Sequence, residues 1–258
     1  MIRADVYLVN FGFAKSRESA RRSIEAGLVK IDGKPITKPS EKIDDSVEHD
    51  VLFQNSIPYV GRGGLKLEAA LDAFNIHPSG KICIDVGAST GGFTDCLLRR
   101  GAMRVYAVDS GHGQLASELV ANSNVVSIEG MNARFLSREI IPESADIIVM
   151  DVSFISQTLI IPRFNDLLGE SGIAITLIKP QFECCRDAIG KGGIVKKPEH
   201  RLSAIRRVFA SARECGLYPQ ALIRSPIVGG DGNIEFLALF TKQVTDADEQ
   251  LFTKVNIY

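Results

Sequence analysis

Ile82-Cys-Ile-Asp-Val-Gly-Ala-Ser-Thr-Gly-Gly-Phe-Thr-Asp95 is the stretch that decides the fold. Its apolar run, Ile82 to Val86, reads as a buried strand. Gly87, Ala88, Ser89, Thr90, Gly91 and Gly92 make a turn, and Phe93, Cys96, Leu97 and Arg100 then recur at helical spacing. Strand, glycine turn and helix form the first unit of a doubly wound α/β sheet, whose ligands bind where backbone N–H groups at the helix start are free. Further strands follow at 104–109, 125–128, 146–151, 172–178, 221–224 and 235–240. A helix over 199–215 closes at Gly216.

A dinucleotide-binding turn needs G-x-G-x-x-G, with its second glycine admitting a pyrophosphate. Ser89 occupies that place, which favours a nucleoside-type ligand without a pyrophosphate. Asp85, Gly87 and Gly91 make a D-x-G-x-x-x-G pattern that resembles the nucleotide loop of S-adenosylmethionine-dependent methyltransferases. The resemblance implies S-adenosyl-L-methionine as cofactor, held by Asp85, Gly87, Ala88, Ser89, Gly91, Gly92 and Phe93. Asp109, at the end of the second strand about twenty residues beyond Gly87, is placed to bond ribose hydroxyls. Asn132 and Asp151, after the third and fourth strands, complete the expected set.

In 258 residues, 45% are hydrophobic and 24% charged, a balance that builds a core. The net charge of −1 excludes a polyanion-binding role for the chain as a whole. Up to Lys38, however, eight lysines and arginines face four acids, a local excess suited to nucleic acid. The five cysteines form no C-x-x-C pair and share no ligand spacing with the four histidines, so neither a metal site nor a disulfide partner is expected. Met1 to Asp5 has no signal-peptide layout and no apolar run spans a membrane, so a reducing cytoplasm is expected.

Residues 1–57 read as a small α+β domain with its linker, and 58–258 as the larger α/β domain. Val6, Leu8, Val9 and Phe13 suggest a first helix, Ser16 caps a second, Gly27 ends it, and Asp32-Gly33 turns a hairpin. Arg17, Ala20, Ile24, Gly27, Val29, Ile31, Asp32 and Gly33 fit a pattern that resembles the small RNA-binding module of a ribosomal protein, some tRNA synthetases and many pseudouridine synthases. That resemblance implies phosphate contacts from Arg17, Arg21, Arg22, Lys30 and Lys34. Arg3, Arg62 and Lys191 extend the expected RNA-binding set, Lys191 from a basic loop over 184–198 read as mobile.

Tyr59-Val-Gly-Arg-Gly-Gly-Leu-Lys-Leu67 opens the larger domain with a flexible glycine turn, and Leu67, Ala70, Leu71 and Phe74 mark an amphipathic helix. Lys66 stands at its start, where the helix dipole disfavours a cation. Asp151 and Lys179 end strands, and Glu235 reaches the same rim if the last strand is antiparallel. These four sum to zero charge, which eases their desolvation.

A Lys-Asp-Lys-Glu set in this order resembles the tetrad of ribose 2′-O-methyltransferases. The reading makes Lys179 the base, Lys66 the neighbouring cation that promotes its deprotonation and positions the hydroxyl, and Asp151 and Glu235 the counter-charges. Together with Asp85-Val-Gly-Ala-Ser-Thr-Gly-Gly-Phe93, Asp151-Val-Ser-Phe154, Lys179-Pro-Gln-Phe-Glu183 and Lys191-Gly-Gly-Ile-Val195, the chain over about 1–242 is similar to the TlyA family. The resemblance implies a Rossmann-like class I methyltransferase sheet, mostly parallel with one antiparallel strand. It also implies methyl transfer to a cytidine 2′-hydroxyl of ribosomal RNA, with rRNA or ribosomal subunits as partners. Gly61 departs from the family's usual serine and is expected only to loosen the turn. Three rival readings stand beside this one. Base-amine methylation lacks its prolines in Asp151-Val-Ser-Phe154. A membrane-lytic haemolysin lacks a spanning segment. A non-catalytic RNA-binding protein conflicts with intact Asp85, Gly87, Gly91 and Asp109.

Overall fold

The computed structural model describes residues 1–25, 27–53, 58–229, 232–246 and 248–255; the side chain of Arg22 lies outside the described residues. The chain divides into two compact units, Met1–Pro58 and Tyr59–Tyr258.

In the small unit, β1 (Ile2–Arg3) leads into α1 (Ala4–Asn10), followed by α2 (Arg17–Glu25), β2 (Val29–Ile31), β3 (Lys34–Pro35), β4 (Lys42–Ile43) and β5 (Val51–Phe53). The Ser19 N–H donates to Ser16 Oγ at 3.1 Å, a side-chain cap on α2. Asp32 and Gly33 both hold positive φ, 52° and 73°, as a two-residue hairpin turn of type I′ requires. α1 buries Ala4, Tyr7 and Leu8, and Val9 and Phe13 pack partly buried against the same core, so of the expected stripe only Val6 falls outside it. Residues 51–53, at the end of the domain, pair antiparallel with β2 as a third strand. Ala20, Ile24, Val29 and Ile31 complete this core.

In the large unit, α3 (Gly63–Phe74) precedes β6 (Ile82–Val86), α4 (Gly92–Arg99), β7 (Arg104–Val108), α5 (Ser117–Val120), β8 (Val125–Ile128) and β9 (Ala145–Met150). Then come α6 (Phe164–Leu167), β10 (Leu168–Ile178), α7 (Pro180–Glu183), α8 (Pro198–Glu214), β11 (Tyr218–Arg224), β12 (Phe236–Thr241) and α9 (Asp248–Lys254). The seven strands lie in the order β11-β12-β10-β9-β6-β7-β8. All neighbours are parallel except β12, antiparallel to both β10 and β11. The inner strands are covered on both faces, which is why they read as nearly continuous apolar runs.

Strand order reverses between β6 and β9, where such sheets open a ligand crevice at the carboxyl ends. The Asp151 N–H donates to the Val86 carbonyl at 2.9 Å across that point. The tail gave no signal in the sequence, yet α9 buries Leu251 and Phe252, and Phe252 stacks on Phe209 of α8 at 5.6 Å.

Candidate active site

Everything that shapes the site sits at the carboxyl edge of the sheet. Gly87 takes φ +85°, and a Cβ there would lie 2.4 Å from the Asp151 carbonyl oxygen. Only glycine permits that approach. Gly87→Ala is expected to cost about 1–3 kcal/mol and to weaken cofactor binding at least tenfold. Calorimetry on the variant checks this, and unchanged stability and affinity would contradict it.

The turn at 61–64 is a close-packed joint, not a loose one. A Cβ on Gly64 would fall 2.2 Å from the Tyr59 ring, and one on Gly61 2.7 Å from Thr90 Oγ1. Gly61 therefore brings α3 against the start of α4, correcting the expectation that it loosens the turn.

Two cavities flank Gly87. The larger, about 470 Å³, is lined by Gly87, Ser89, Asp109, Gln114, Asn132 and Asp151 with the apolar Val108, Met131, Ile155 and Ile160. A lining that mixes polar and apolar groups suits a nucleoside. Asp109 accepts the Ser89 N–H and the Gly111 N–H, each at 2.7 Å, so its carboxylate also braces the turn. Asn132 accepts the Arg134 N–H at 3.1 Å.

The smaller cavity, about 220 Å³, is lined by Arg62, Gly63, Ala88, Gly92, Phe93, Asp151, Ser153 and Lys179. Gly91 lines neither cavity. It turns at φ +96° against Leu115 and Leu119.

Asp85 also lies away from both cavities, fully buried within β6. Its Oδ2 accepts the Thr94 hydroxyl at 2.7 Å, and Oδ1 has no partner. Burial, only partly offset by Thr94, pushes its carboxyl up to about 7. An acid raised in the folded state favours folding while protonated. Stability is therefore lost as pH rises from the ordinary value of 3.8 to about 7, by a few kcal/mol in order of magnitude. Asp85→Asn is expected to flatten that slope, as denaturation over a pH series would detect; parallel curves for the two proteins would contradict the assignment.

The four charged residues form two ion pairs. Lys179 Nζ lies 2.6 Å from Asp151 Oδ1 and donates to Ser153 Oγ at 2.8 Å. Lys66 Nζ donates to Glu235 Oε2 at 2.6 Å, both side chains being less than a tenth exposed. The antiparallel register Ile178↔Phe236 sets Lys179 beside Glu235 at one edge of the sheet. Gly63, at the start of the Lys66 helix, abuts Asp151, a Cβ there lying 4.0 Å from Oδ2. Sequence reading missed Ser153, Gln114 and Met131; only Ser153 carried a signal, through its place in Asp151-Val-Ser-Phe154.

The basic loop is less free than expected. Asn233 accepts the Val195 N–H and donates to the Gly193 carbonyl, each at 2.9 Å, and Arg201 donates to the Val195 and Lys196 carbonyls. Lys191 is exposed in it.

On the small unit, Arg3 pairs with the buried Asp5 at 2.8 Å, and Arg17 reaches the same carboxylate at 3.3 Å. Arg21 pairs with Glu25 at 2.7 Å, and Lys30 and Lys34 are exposed. Among the described residues no group of acids, histidines and cysteines is placed to hold a metal ion, and no helix is long and apolar enough to cross a membrane.

This sheet order, one reversed strand and a glycine turn at the switch point define a class I methyltransferase. The family model for FtsJ-like methyltransferases matches residues 59–242, and that for the S4 domain matches 2–49. Hemolysin A of Brachyspira hyodysenteriae is 43% identical, over 93% of this chain and 99% of its own. The 16S/23S rRNA (cytidine-2′-O)-methyltransferase TlyA of Mycobacterium tuberculosis is 40% identical, over 95% and 91%. A solved structure of a hemolysin-named protein from Streptococcus thermophilus superposes with a TM-score of 0.75 at 41% identity, covering 98% of this chain and 94% of that one. The chain belongs to the TlyA family of FtsJ-like methyltransferases with an N-terminal S4 domain.

Proposed function

We propose that this chain methylates the 2′-hydroxyl of a cytidine in ribosomal RNA, using S-adenosylmethionine. The pairing of Lys179 with Asp151 beside the glycine turn carries the reading. Gly87, Ser89, Asp109, Gln114 and Asn132 would hold the adenosine part of the donor, and their cavity fits its size and mixed polarity. When bound, the donor supplies a methyl group already activated by its sulfonium.

A ribose hydroxyl is a weak nucleophile until its proton has somewhere to go. Lys179 Nζ is the group placed to take that proton, and Asp151 would hold the resulting ammonium. A donor held by Gly87, Ser89, Asp109, Gln114 and Asn132 would give its methyl carbon to the ribose oxygen and keep the electron pair of the broken carbon–sulfur bond on sulfur. Lys66 and Glu235 form a second, buried pair that lines neither cavity, placed at the same sheet edge by the register of β10 and β12. Holding the hydroxyl in line with the methyl group supplies much of the remaining rate.

The small unit supports RNA as the substrate. Arg17 and Arg21 are exposed on one helix, with Arg3 beside them at Asp5. Arg17→Glu and Arg21→Glu are each expected to weaken RNA binding and lower the salt-dependence slope by about 1, leaving cofactor affinity unchanged. Equal RNA affinity at all salt concentrations would contradict this. The reading as a whole is tested by labelled methyl transfer to ribosomal subunits from a strain lacking the modification. Label is expected in rRNA; its absence from both subunits would overturn the proposal.

A further inference from the structure

We propose that Ser153 is a positioning residue that aims the lone pair of Lys179 at the substrate hydroxyl. The inference rests on the methyl-transfer reading and deepens it.

A neutral lysine nitrogen has four tetrahedral directions: its own carbon, two N–H bonds and one lone pair. Asp151 Oδ1 at 2.6 Å can only accept, and Ser153 Oγ at 2.8 Å accepts the second N–H. With both N–H bonds committed, the lone pair has one direction left. All three residues line the same cavity. Without Ser153 the amine rotates about its Cε–Nζ bond, and the lone pair sweeps a cone instead of holding one line.

Two further observations indicate that this loop is built to hold Ser153 still. Phe154, the next residue, sits at φ +63° and is 92% exposed. A bulky side chain in that left-handed region is strained, and such strain persists only where the surroundings impose it. The far end of the loop is fastened to α7, the helix that follows Lys179. Ser156 Oγ donates to Glu183 Oε2 at 2.5 Å, and the Gln157 N–H donates to Glu183 Oε1 at 2.8 Å. Glu183 is buried, which raises its carboxyl above the usual range. The segments 151–157 and 179–183 are thus joined at both ends, once through Lys179 and once through Glu183.

The test compares Ser153→Ala and Ser153→Thr with the unsubstituted protein in steady-state methyl transfer to ribosomal subunits. Ser153 is exposed, so the alanine variant is expected to fold, with an unchanged melting temperature as the check. In Ser153→Ala, kcat is expected to fall by roughly ten- to a hundredfold, in the range of a lost catalytic orientation. KM for RNA and affinity for S-adenosylmethionine should stay within about twofold, since the hydroxyl is assigned to Lys179 and not to either ligand. Ser153→Thr keeps the hydroxyl and should recover most of kcat. A normal kcat in Ser153→Ala, a loss confined to KM, or a threonine variant as impaired as the alanine one would each overturn this role alone. Absence of transfer by the unsubstituted protein would instead sink the methyl-transfer reading, and this role with it.

Discussion

Lys179→Ala is expected to lower kcat by about 10²–10⁴-fold, the range of a lost general base, while S-adenosylmethionine binds as before. The residue removed lines the smaller cavity, whereas the larger one is lined without it. Alanine alone leaves two explanations, since Asp151 also loses its counter-charge. Lys179→Arg separates them. Arginine restores the cation beside Asp151 but stays protonated and cannot accept the hydroxyl proton. It should be about as inactive as alanine. An arginine variant with near-normal kcat would make the role electrostatic and remove proton transfer to this residue. Equilibrium binding and single-turnover transfer on the three proteins give the comparison.

The second large effect concerns stability. Lys66 and Glu235 are buried together, their side chains 6% and 3% exposed, with 2.6 Å between nitrogen and oxygen. Removing one partner of such a pair leaves a bare charge in the interior, at a cost of about 3–5 kcal/mol. Lys66→Met should therefore lower the unfolding free energy by that amount and the melting temperature by on the order of 10 °C. Lys66→Met combined with Glu235→Leu should recover most of the stability, because a matched apolar pair carries no uncompensated charge. The double variant should stay inactive if the pair serves the reaction. Denaturation of single and double variants, followed by transfer assays on the stable double variant, tests both halves. A fully active double variant would reduce the pair to a structural strut.

Much of the large unit could be read from residues alone, for physical reasons. Strands covered on both faces are mostly apolar, so 82–86 and 172–178 announce themselves in spite of the buried Asp85 and Thr176. The glycines at 87, 91 and 92 mark a turn that other residues cannot make. The reversal of β12 was conditional in the sequence, and the register of Ile178 with Phe236 now supplies it.

What escaped reading depends on tertiary contact. α9 is two turns long, and nothing in its sequence names Phe209 as its neighbour. Gly61 and Gly64 are small because Thr90 and the Tyr59 ring lie against them; Thr90 is too distant in sequence to infer, and no residue pattern shows the Tyr59 ring folding back on Gly64. The basic residues of the small unit were visible, but the burial of Asp5 between Arg3 and Arg17 was not. Of the proposed reaction centre, the four charged residues could be picked out. Their division into two pairs, and the serine that shares Lys179, required coordinates.

In the proposed reaction the methyl group goes to a ribose oxygen, with Lys179 accepting the proton. The chemistry of RNA offers a direct measurement. Alkali cleaves RNA through attack by the 2′-oxygen, so a methylated 2′-oxygen protects its own phosphodiester. Ribosomal RNA labelled by this protein and digested completely with alkali should release the label in a dinucleotide, and Lys179→Ala should release none. Label recovered in a mononucleotide would place the methyl group on a base and contradict the account.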